Sequence, residues 1–473
     1  MRTVLAPSAV KPVSQKSYRG LRVHMIGVGG AGMSGAAKML VQLGATVSGS
    51  DLTCFSGLGA LVSQGVRVTI GHDAGYLDSR TDLVVASAAV PESNPELQAA
   101  VRGDIRLIKY AELLGELMDF RDGVAIAGTH GKTTTTAMCA YLLQHAGLAP
   151  SFIFGAESDQ LGGSSGVGSG RHFVVESCEF DRSFLHLRPC AAAILNVESD
   201  HLDCYGSLDA IAEAFGRFAA NVDPGGLVVC NATDGLAVET ARCASARVET
   251  FGIESDADWQ AVNLRCERGL FIFDVVYQDC VALSTRLVIP GRYNVENALA
   301  ATALAAFSGV EPRCIAEGLA LFAGVGRRLA WRGLGRGVNI IDDYAHHPTE
   351  VRATIEAARS RYEPKRTWVV FQPHQYERTR CFLDEFARSF GQADEVIIPT
   401  VFGARESSSE DCVVGSELLA SRIRDRGMPA HYVPTLDEAA DYVAQRATDG
   451  DLVVTMGAGD VWKVADALVE RLC

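Results

Sequence analysis

The chain has 473 residues, of which 48% are hydrophobic and 21% charged. At about 150 residues per domain this is material for about three domains with ample core, which excludes global disorder. Lys and Arg total 43 against 57 Asp and Glu, a net charge of -14, which excludes general binding to nucleic acid or to an anionic membrane, and no apolar run approaches the roughly 18 residues that cross a bilayer.

Residues 1–20 read as an N-terminal extension. Arg2, Lys11, Lys16 and Arg19 stand there without an acid, but the apolar stretch of a secretory signal is missing; composition leaves a transit peptide as the alternative. The 13 cysteines are odd in number and include no C-x-x-C pair, a pattern of reduced, packed thiols in a cytosolic protein. Without a paired-cysteine framework, His186/Cys190 and His201/Cys204 do not read as zinc ligands.

The first domain is expected over residues 21–121. Residues 21–26 form a buried strand, a glycine cluster follows, and a helix runs to about Gly44. Further strands are expected at 45–51, 68–70 and 83–86, so strands and helices alternate as in a wound parallel sheet. A central domain is expected over 122–325. It has strands at 124–127, 173–176, 192–196 and 227–230, a Gly/Ser-rich stretch at 162–170 that reads as a mobile loop, and a β-rich appendage over 248–289. A C-terminal domain over 326–473 carries strands at 338–341, 367–371, 395–398 and 452–455. The fold class is therefore α/β in three domains, with Rossmann-like first and last domains around a central domain that has a parallel sheet and the β-rich appendage.

Two glycine loops carry the chemistry. Gly27, Gly29 and Gly32 satisfy G-x-G-x-x-G between a strand and a helix, and Asp51 ends the next strand. Small residues there let backbone N–H groups and a helix N-terminus approach a diphosphate. A dinucleotide and a UDP-sugar both fit, and a bare strand–helix turn is the alternative. The second loop, Gly128-Thr129-His130-Gly131-Lys132-Thr133, also lies between strand and helix. Lys132 suits β/γ-phosphates, and the hydroxyl of Thr133 or Thr134 suits Mg²⁺. It departs from the strict Walker pattern at Ile126.

Acids at neighbouring strand ends are candidate metal ligands: Glu176, with Glu179 nearby, and the segment 196–201 with His201. Asp343 is placed to take a ribose hydroxyl, Arg327 or Arg328 to stabilise a transferring phosphoryl, and the arginines of 371–380 to clamp a carboxylate.

Taken together, these residues resemble the Mur ligase family from about residue 21 to 470. The segments that carry the resemblance are Gly27-Val28-Gly29-Gly30-Ala31-Gly32-Met33-Ser34-Gly35, the phosphate loop 128–134, Ser183-Phe184-Leu185-His186-Leu187, Asp200-His201-Leu202-Asp203 and Asp343-Tyr344-Ala345-His346-His347-Pro348-Thr349-Glu350. The resemblance is strongest to members that add the first amino acid of a peptidoglycan precursor. It implies an ATP-dependent ligase joining L-alanine to the lactyl carboxylate of UDP-N-acetylmuramate through an acyl phosphate. Gly27, Gly29, Gly30, Ala31, Gly32, Met33 and Ser34 would hold the UDP diphosphate, with Asp51, His72 and Ser87 enclosing the UDP. Gly128, Thr129, His130, Gly131, Lys132, Thr133 and Thr134 would bind ATP phosphates, and Thr133, Glu176 and His201 would hold Mg²⁺. Asn294 and Asn297 match the adenine side. Arg327 or Arg328, Asp343 and His347 would reach ATP as the last domain closes, and Tyr344, His374 and Arg378 would bind alanine. The resemblance implies a cytoplasmic enzyme serving cell-wall synthesis, cell shape and division, with no nucleic-acid partner and no membrane insertion; monomer and homodimer stay open.

Three departures stand out. Gln375 follows His374 where the family often has arginine. Ala214-Phe215-Gly216-Arg217-Phe218 holds no lysine for carbamoylation, which fits the alanine-adding members. Lys109-Tyr110 precedes Ala111-Glu112 where an arginine is frequent. The rivals are a sister ligase that joins a preformed tripeptide, an NAD-dependent oxidoreductase resting on the first loop, and a non-enzymatic nucleotide switch resting on the second.

Overall fold

The computed structural model describes residues 18–55, 57–200, 202–404 and 415–472. The calls on residues 1–17 and on His201 lie outside them. The described chain forms two compact units. The first runs through Asn263 and adds Phe273–Thr285 and Glu296–Ala323. The second comprises Leu264–Ile272, Arg286–Val295 and the chain from Gly324 on.

The first unit opens with a parallel sheet of β1 (Arg22–Ile26), β2 (Thr46–Asp51), β3 (Arg67–Ile70), β4 (Leu83–Ala86) and β5 (Arg106–Lys109), in the order β3-β2-β1-β4-β5. Both faces of its centre are covered, so β1 and β4 read as apolar runs. The helix Ala31–Gln42 buries Met33, Ala36, Ala37 and Leu40, one stripe at helical spacing.

The larger sheet contains β6 (Asp122–Ala127), β7 (Ser151–Ile153), β8 (Ser165–Gly166), β9 (His172–Glu176), β10 (Ala191–Ile194), β11 (Leu227–Asn231), β12 (Arg247–Ile253), β13 (Trp259–Glu267), β14 (Leu270–Tyr277) and β15 (Cys280–Arg286). Their order is β15-β14-β13-β12-β11-β10-β6-β9-β7-β8.

Residues 248–289 are β-rich as expected, and the structure adds how they attach: β12 pairs in parallel with β11, and β13 with β12, so these strands continue one end of the central sheet. Alternation reports that one face is buried but not which strand lies alongside. The stretch 162–170 is no loose loop. Its β8 pairs antiparallel with β7, Gly168 N–H donates to Ser151 Oγ at 3.0 Å, and Gly170 N–H donates to Ala149 O at 2.8 Å. A Cβ on Gly168 or Gly170 would lie 1.9 Å from a backbone oxygen, so these glycines permit close backbone approach rather than motion.

The second unit holds β16 (Ala330–Gly335), β17 (Val338–Asp343), β18 (Thr367–Phe371), β19 (Glu395–Ile398), β20 (Ala430–Tyr432) and β21 (Leu452–Met456). The order is β16-β17-β21-β18-β19-β20. All neighbours are parallel except the edge pair β16–β17. Among the described residues, no helix is long and apolar enough to cross a membrane.

Candidate functional site

The first glycine loop gathers side chains at the carboxyl ends of four strands, where wound sheets bind ligands. After β1 the chain turns at Gly27 (φ +79°), and the Gly27 and Val28 N–H groups both donate to Ser50 O. The helix then starts at Ala31, and the Ser34 hydroxyl ties its first turn to Val28 O at 2.7 Å. The glycines answer to side chains. A Cβ on Gly29 would lie 2.4 Å from Phe55 and 2.8 Å from Asp51 Oδ2, and one on Gly32 would lie 2.5 Å from the Tyr110 hydroxyl. Ser87 follows β4 beside Gly27, where an added Cβ would lie 3.0 Å from Ser87 Cβ, and Met33 is buried.

Asp51 and His72 are drawn into this cluster by contacts that spacing does not show. Asp51 Oδ2 accepts the Gly29 N–H at 2.8 Å, so the carboxylate braces the loop. His72 Nδ1 lies 2.7 Å from Glu96 Oε1 and 3.0 Å from Ser50 Oγ. Glu96 is wholly buried and also meets His24 Nε2 at 2.6 Å and the Ser50 hydroxyl at 2.8 Å. Burial opposes its charge, but the bonds from His24, Ser50 and His72 prevail and hold its pKa below the usual value. Sequence reasoning missed Glu96; the Asn94-Pro95-Glu96 helix start was its one local signal.

The second loop is built on backbone that favours glycine. Gly128 has φ +146° and Gly131 φ +81°. Asn196, beyond β10, holds it: its Oδ1 accepts the His130 N–H at 2.7 Å and its Nδ2 donates to His130 O at 3.2 Å. The Thr129 hydroxyl accepts the Glu198 N–H at 2.8 Å. A Cβ on Gly131 would meet Asn297 Oδ1 at 2.6 Å, which places Asn297 beside the loop. Lys132 opens the helix Lys132–His145 and bends back to Gly128 O, to Thr129 O at 3.0 Å and to Glu179 at 2.9 Å. Burial works against the ammonium, but Glu179 outweighs it and keeps Lys132 charged, above its ordinary pKa. Thr133 and Thr134 are both buried. The Thr133 hydroxyl donates to Glu176 Oε1 at 2.8 Å, and Gly155 N–H donates to Oε2 at 2.6 Å. Thr133 and Glu176 thus offer the hard oxygen donors that suit Mg²⁺.

In the second unit, Asn294 is locked locally, its Nδ2 donating to Pro290 O at 2.7 Å. Arg327 (φ +59°) donates to Asp342 Oδ2 at 2.9 Å, Gly459 O at 3.1 Å and Gly457 O at 2.6 Å. Its guanidinium is thereby committed to bracing the loop after β21. The Tyr344 ring lies 5.1 Å from Arg327 and 5.0 Å from Arg328. Asp343 accepts Leu329 N–H at 2.7 Å, Ala345 N–H at 2.8 Å and the Thr354 hydroxyl at 3.3 Å. Burial pushes its pKa up to about 6 against the pull of Arg328. His347 caps the helix Pro348–Tyr362, its Nδ1 accepting the Thr349 N–H at 3.4 Å.

The predicted alanine residues do come together. Tyr344 meets the edge of His346 at 5.4 Å, His346 meets His374 at 6.0 Å, and His374 Nδ1 lies 3.3 Å from Arg378 Nη1. Gln375, the departure from the family pattern, has φ +68° and anchors through its backbone: its N–H donates to Phe402 O at 2.9 Å. The loop 457–460 went unnoticed. Its signal was two glycines and an acid directly after a strand.

Three family models match the chain: the Mur ligase family catalytic domain over residues 22–122, the Mur ligase middle domain over 126–305 and the Mur ligase glutamate ligase domain over 327–459. A relative from Solibacter usitatus, named UDP-N-acetylmuramate–L-alanine ligase, is 43% identical over 466 residues, covering 97% of each chain. One of the same name from Acetivibrio thermocellus is 40% identical over 451 residues, covering 95% of each. The solved UDP-N-acetylmuramate–alanine ligase of Thermotoga maritima superposes with a TM-score of 0.81 at 29% identity, covering 95% of this chain and 99% of that one. A murein peptide ligase from Psychrobacter arcticus gives 0.73 at 26% identity, covering 96% and 99%. The chain belongs to the Mur ligase family, among relatives named for joining L-alanine to UDP-N-acetylmuramate.

Proposed function

We propose that this protein is an ATP-dependent, ADP-forming ligase that joins L-alanine to the lactyl carboxylate of UDP-N-acetylmuramate. The observation that carries the reading is its 43% identity, over 97% of the chain, to a relative so named. The rival tripeptide-joining reading has a counterpart of lower identity and coverage, 31% over 65% of this chain, in a solved ligase named for adding L-alanyl-γ-D-glutamyl-meso-diaminopimelate. The domain limits follow the reading: 1–20 an extension, 21–121 for the UDP-sugar, 122–325 for ATP and 326–473 for the amino acid. The enzyme acts in the cytoplasm, in peptidoglycan precursor synthesis, and so serves cell shape and division.

Amide formation from a carboxylate at neutral pH needs an activated acyl group. A lactyl carboxylate oxygen attacks the γ-phosphorus of ATP, the bond to ADP breaks, and an acyl phosphate forms. The amine of alanine then attacks the acyl carbon, the C–O bond to phosphate breaks, and the amine proton leaves with phosphate. The loop 27–34 takes the UDP diphosphate, with Ser87 against it, Asp51 acting through Gly29 and His72 held by Glu96. The loop 128–134 takes the ATP phosphates, and Asn294 and Asn297 the adenine side. Lys132 exchanges Glu179 for the terminal phosphates, a swap of one anion for another that costs little charge stabilisation. Thr133, Glu176 and His201 would hold Mg²⁺, which supplies charge neutralisation at the phosphates when bound. Of the two candidate arginines, Arg328 is assigned to the transferring phosphoryl, because Arg327 is spent on the loop after β21. Asp343 and His347 order the segment that carries Tyr344 and are assigned to ATP with it. Tyr344, His374 and Arg378 take alanine.

Phosphate release from ATP, Mg²⁺ and UDP-N-acetylmuramate tests the reading, with L-alanine, glycine, L-serine or the tripeptide added singly. Release that needs the UDP-sugar and is fastest with L-alanine supports it. Release with the tripeptide alone moves the protein to the sister activity, and no release under any pairing removes the ligase reading.

A further inference from the structure

The carboxyl ends of β18 and β21 place a second polar group beside His374. Gln372 follows β18 and is 5% exposed. Its Nε2 donates to Asp460 Oδ1 at 3.1 Å, and Lys463 Nζ donates to Asp460 Oδ2 at 3.0 Å. Burial opposes the Asp460 charge, but Lys463 and Gln372 prevail and hold its pKa below the usual value. An ionised carboxylate only accepts, so the amide presents nitrogen to it and the orientation of Gln372 is fixed. Oxygen Oε1 is thereby turned to Gly459, where it is buried and has no hydrogen-bond partner among the described residues. A Cβ on Gly459 would lie 2.7 Å from this oxygen and 2.7 Å from the Phe402 ring. Gly459 therefore packs directly between a carbonyl acceptor and an aromatic face, with no room for a side chain of its own. Phe402 stacks on His374 at 5.7 Å and 13°, and His374 contacts Arg378. One end of this cluster is cationic; the other is an acceptor in want of a donor, and a buried acceptor of that kind calls for one.

We propose that Gln372, set by Asp460, receives the α-amino group of the incoming amino acid, while His374 and Arg378 take its carboxylate. The inference rests on the reading of this unit as the amino-acid site. One amine N–H donates to Oε1, which turns the nitrogen lone pair away from Gln372 for attack on the acyl carbon. Gln372 holds no proton of the reaction: the C–N bond forms, the C–O bond to phosphate breaks, and the amine proton leaves with phosphate. Positioning of this sort acts on the second step alone.

The test uses the full chain with ATP, Mg²⁺ and UDP-N-acetylmuramate, and reads two products: alanine-dependent phosphate, and the hydroxamate formed when hydroxylamine traps the acyl phosphate. In Q372M the KM for alanine should rise at least tenfold, while the KM values for ATP and UDP-sugar stay within twofold and hydroxamate forms as in the unaltered enzyme. G459A, whose methyl would press on Oε1 and the Phe402 ring and displace the acceptor, should behave alike. An alanine KM within twofold in Q372M overturns the proposal, as does loss of hydroxamate along with alanine use. If the unaltered enzyme itself shows no alanine-dependent release, the amino-acid reading falls first, a result the variants cannot mimic.

Discussion

The loops 27–32 and 128–134 are the same backbone device used twice. Each follows a central parallel strand, turns through a glycine of positive φ and opens a helix. Each is touched by a carboxylate from elsewhere in the fold, Asp51 in one and Glu179 in the other. The difference lies in what the carboxylate meets. Asp51 meets a backbone N–H, a fixed dipole, and sets geometry. Glu179 meets the ammonium of Lys132, a full side-chain charge, and in the proposed reaction gives it up to phosphate. A strand–glycine–helix turn is thus a generic anion seat, and one lysine with one threonine turns it toward phosphoryl chemistry.

The largest expected effect separates the two loops. K132A should lower turnover by on the order of 10²–10³-fold or more, the scale of losing one strong transition-state donor, while UDP-sugar affinity stays within threefold by calorimetry. Equal loss of both would break the division of labour. A third strand end, at Asp343, sharpens the contrast, because its carboxylate is buried with too little opposing charge. A pKa near 6 against the ordinary 3.8 corresponds to about 3 kcal/mol. The folded chain binds this proton more tightly than the unfolded chain, so its stabilising contribution is complete below about pH 4 and is lost as pH rises through about 6. Carboxyl NMR should find a midpoint near 6, and D343N should flatten that part of the stability–pH curve. A midpoint below about 4.5 would sink the argument. Next in size is G29A. A Cβ there meets Phe55 at 2.4 Å, and overpacking of this kind costs about 1–3 kcal/mol. Its UDP-sugar KM should rise about tenfold with the ATP KM unchanged, and G29A/F55A should recover part of the loss. A raised ATP KM would mean that the two loops are coupled.

Much of this was legible in the sequence for a physical reason. Central parallel strands are buried on both faces, so β1, β4, β6, β10 and β21 read as apolar runs, and glycine turns mark their ends. Strands that lacked this signature were missed: β5 and β16 alternate in exposure, while β7 and β20 have three residues each. Lys132 and Thr133 were singled out because the loop that holds them is local, and Asp51 and Glu176 because they end strands; the structure sets Asp51 against Gly29 and Glu176 against Thr133. The contacts that set their roles are not local. Lys132 meets Glu179 47 residues away, His130 meets Asn196 66 away, and Arg327 meets Gly457 130 away. No spacing rule reaches such pairs, so sequence alone could not tell the braced Arg327 from Arg328, or see Glu96 behind His72.

Asp51 offers the finest test of the comparison, because its two assignments predict opposite results. If it braces the loop, D51N keeps an acceptor for the Gly29 N–H and removes a negative charge beside a diphosphate seat. UDP-sugar affinity should then stay within twofold or improve, with stability changed by less than about 1 kcal/mol, whereas D51A, which loses the acceptor, should lose about 1 kcal/mol in urea unfolding. If instead the carboxylate touches the ligand, as the strand-end position first suggested, D51N should weaken UDP-sugar binding about tenfold with stability unchanged. The same substitution therefore reports whether an acid at the end of a second strand serves the loop or the ligand, a distinction that the G-x-G-x-x-G pattern by itself does not contain.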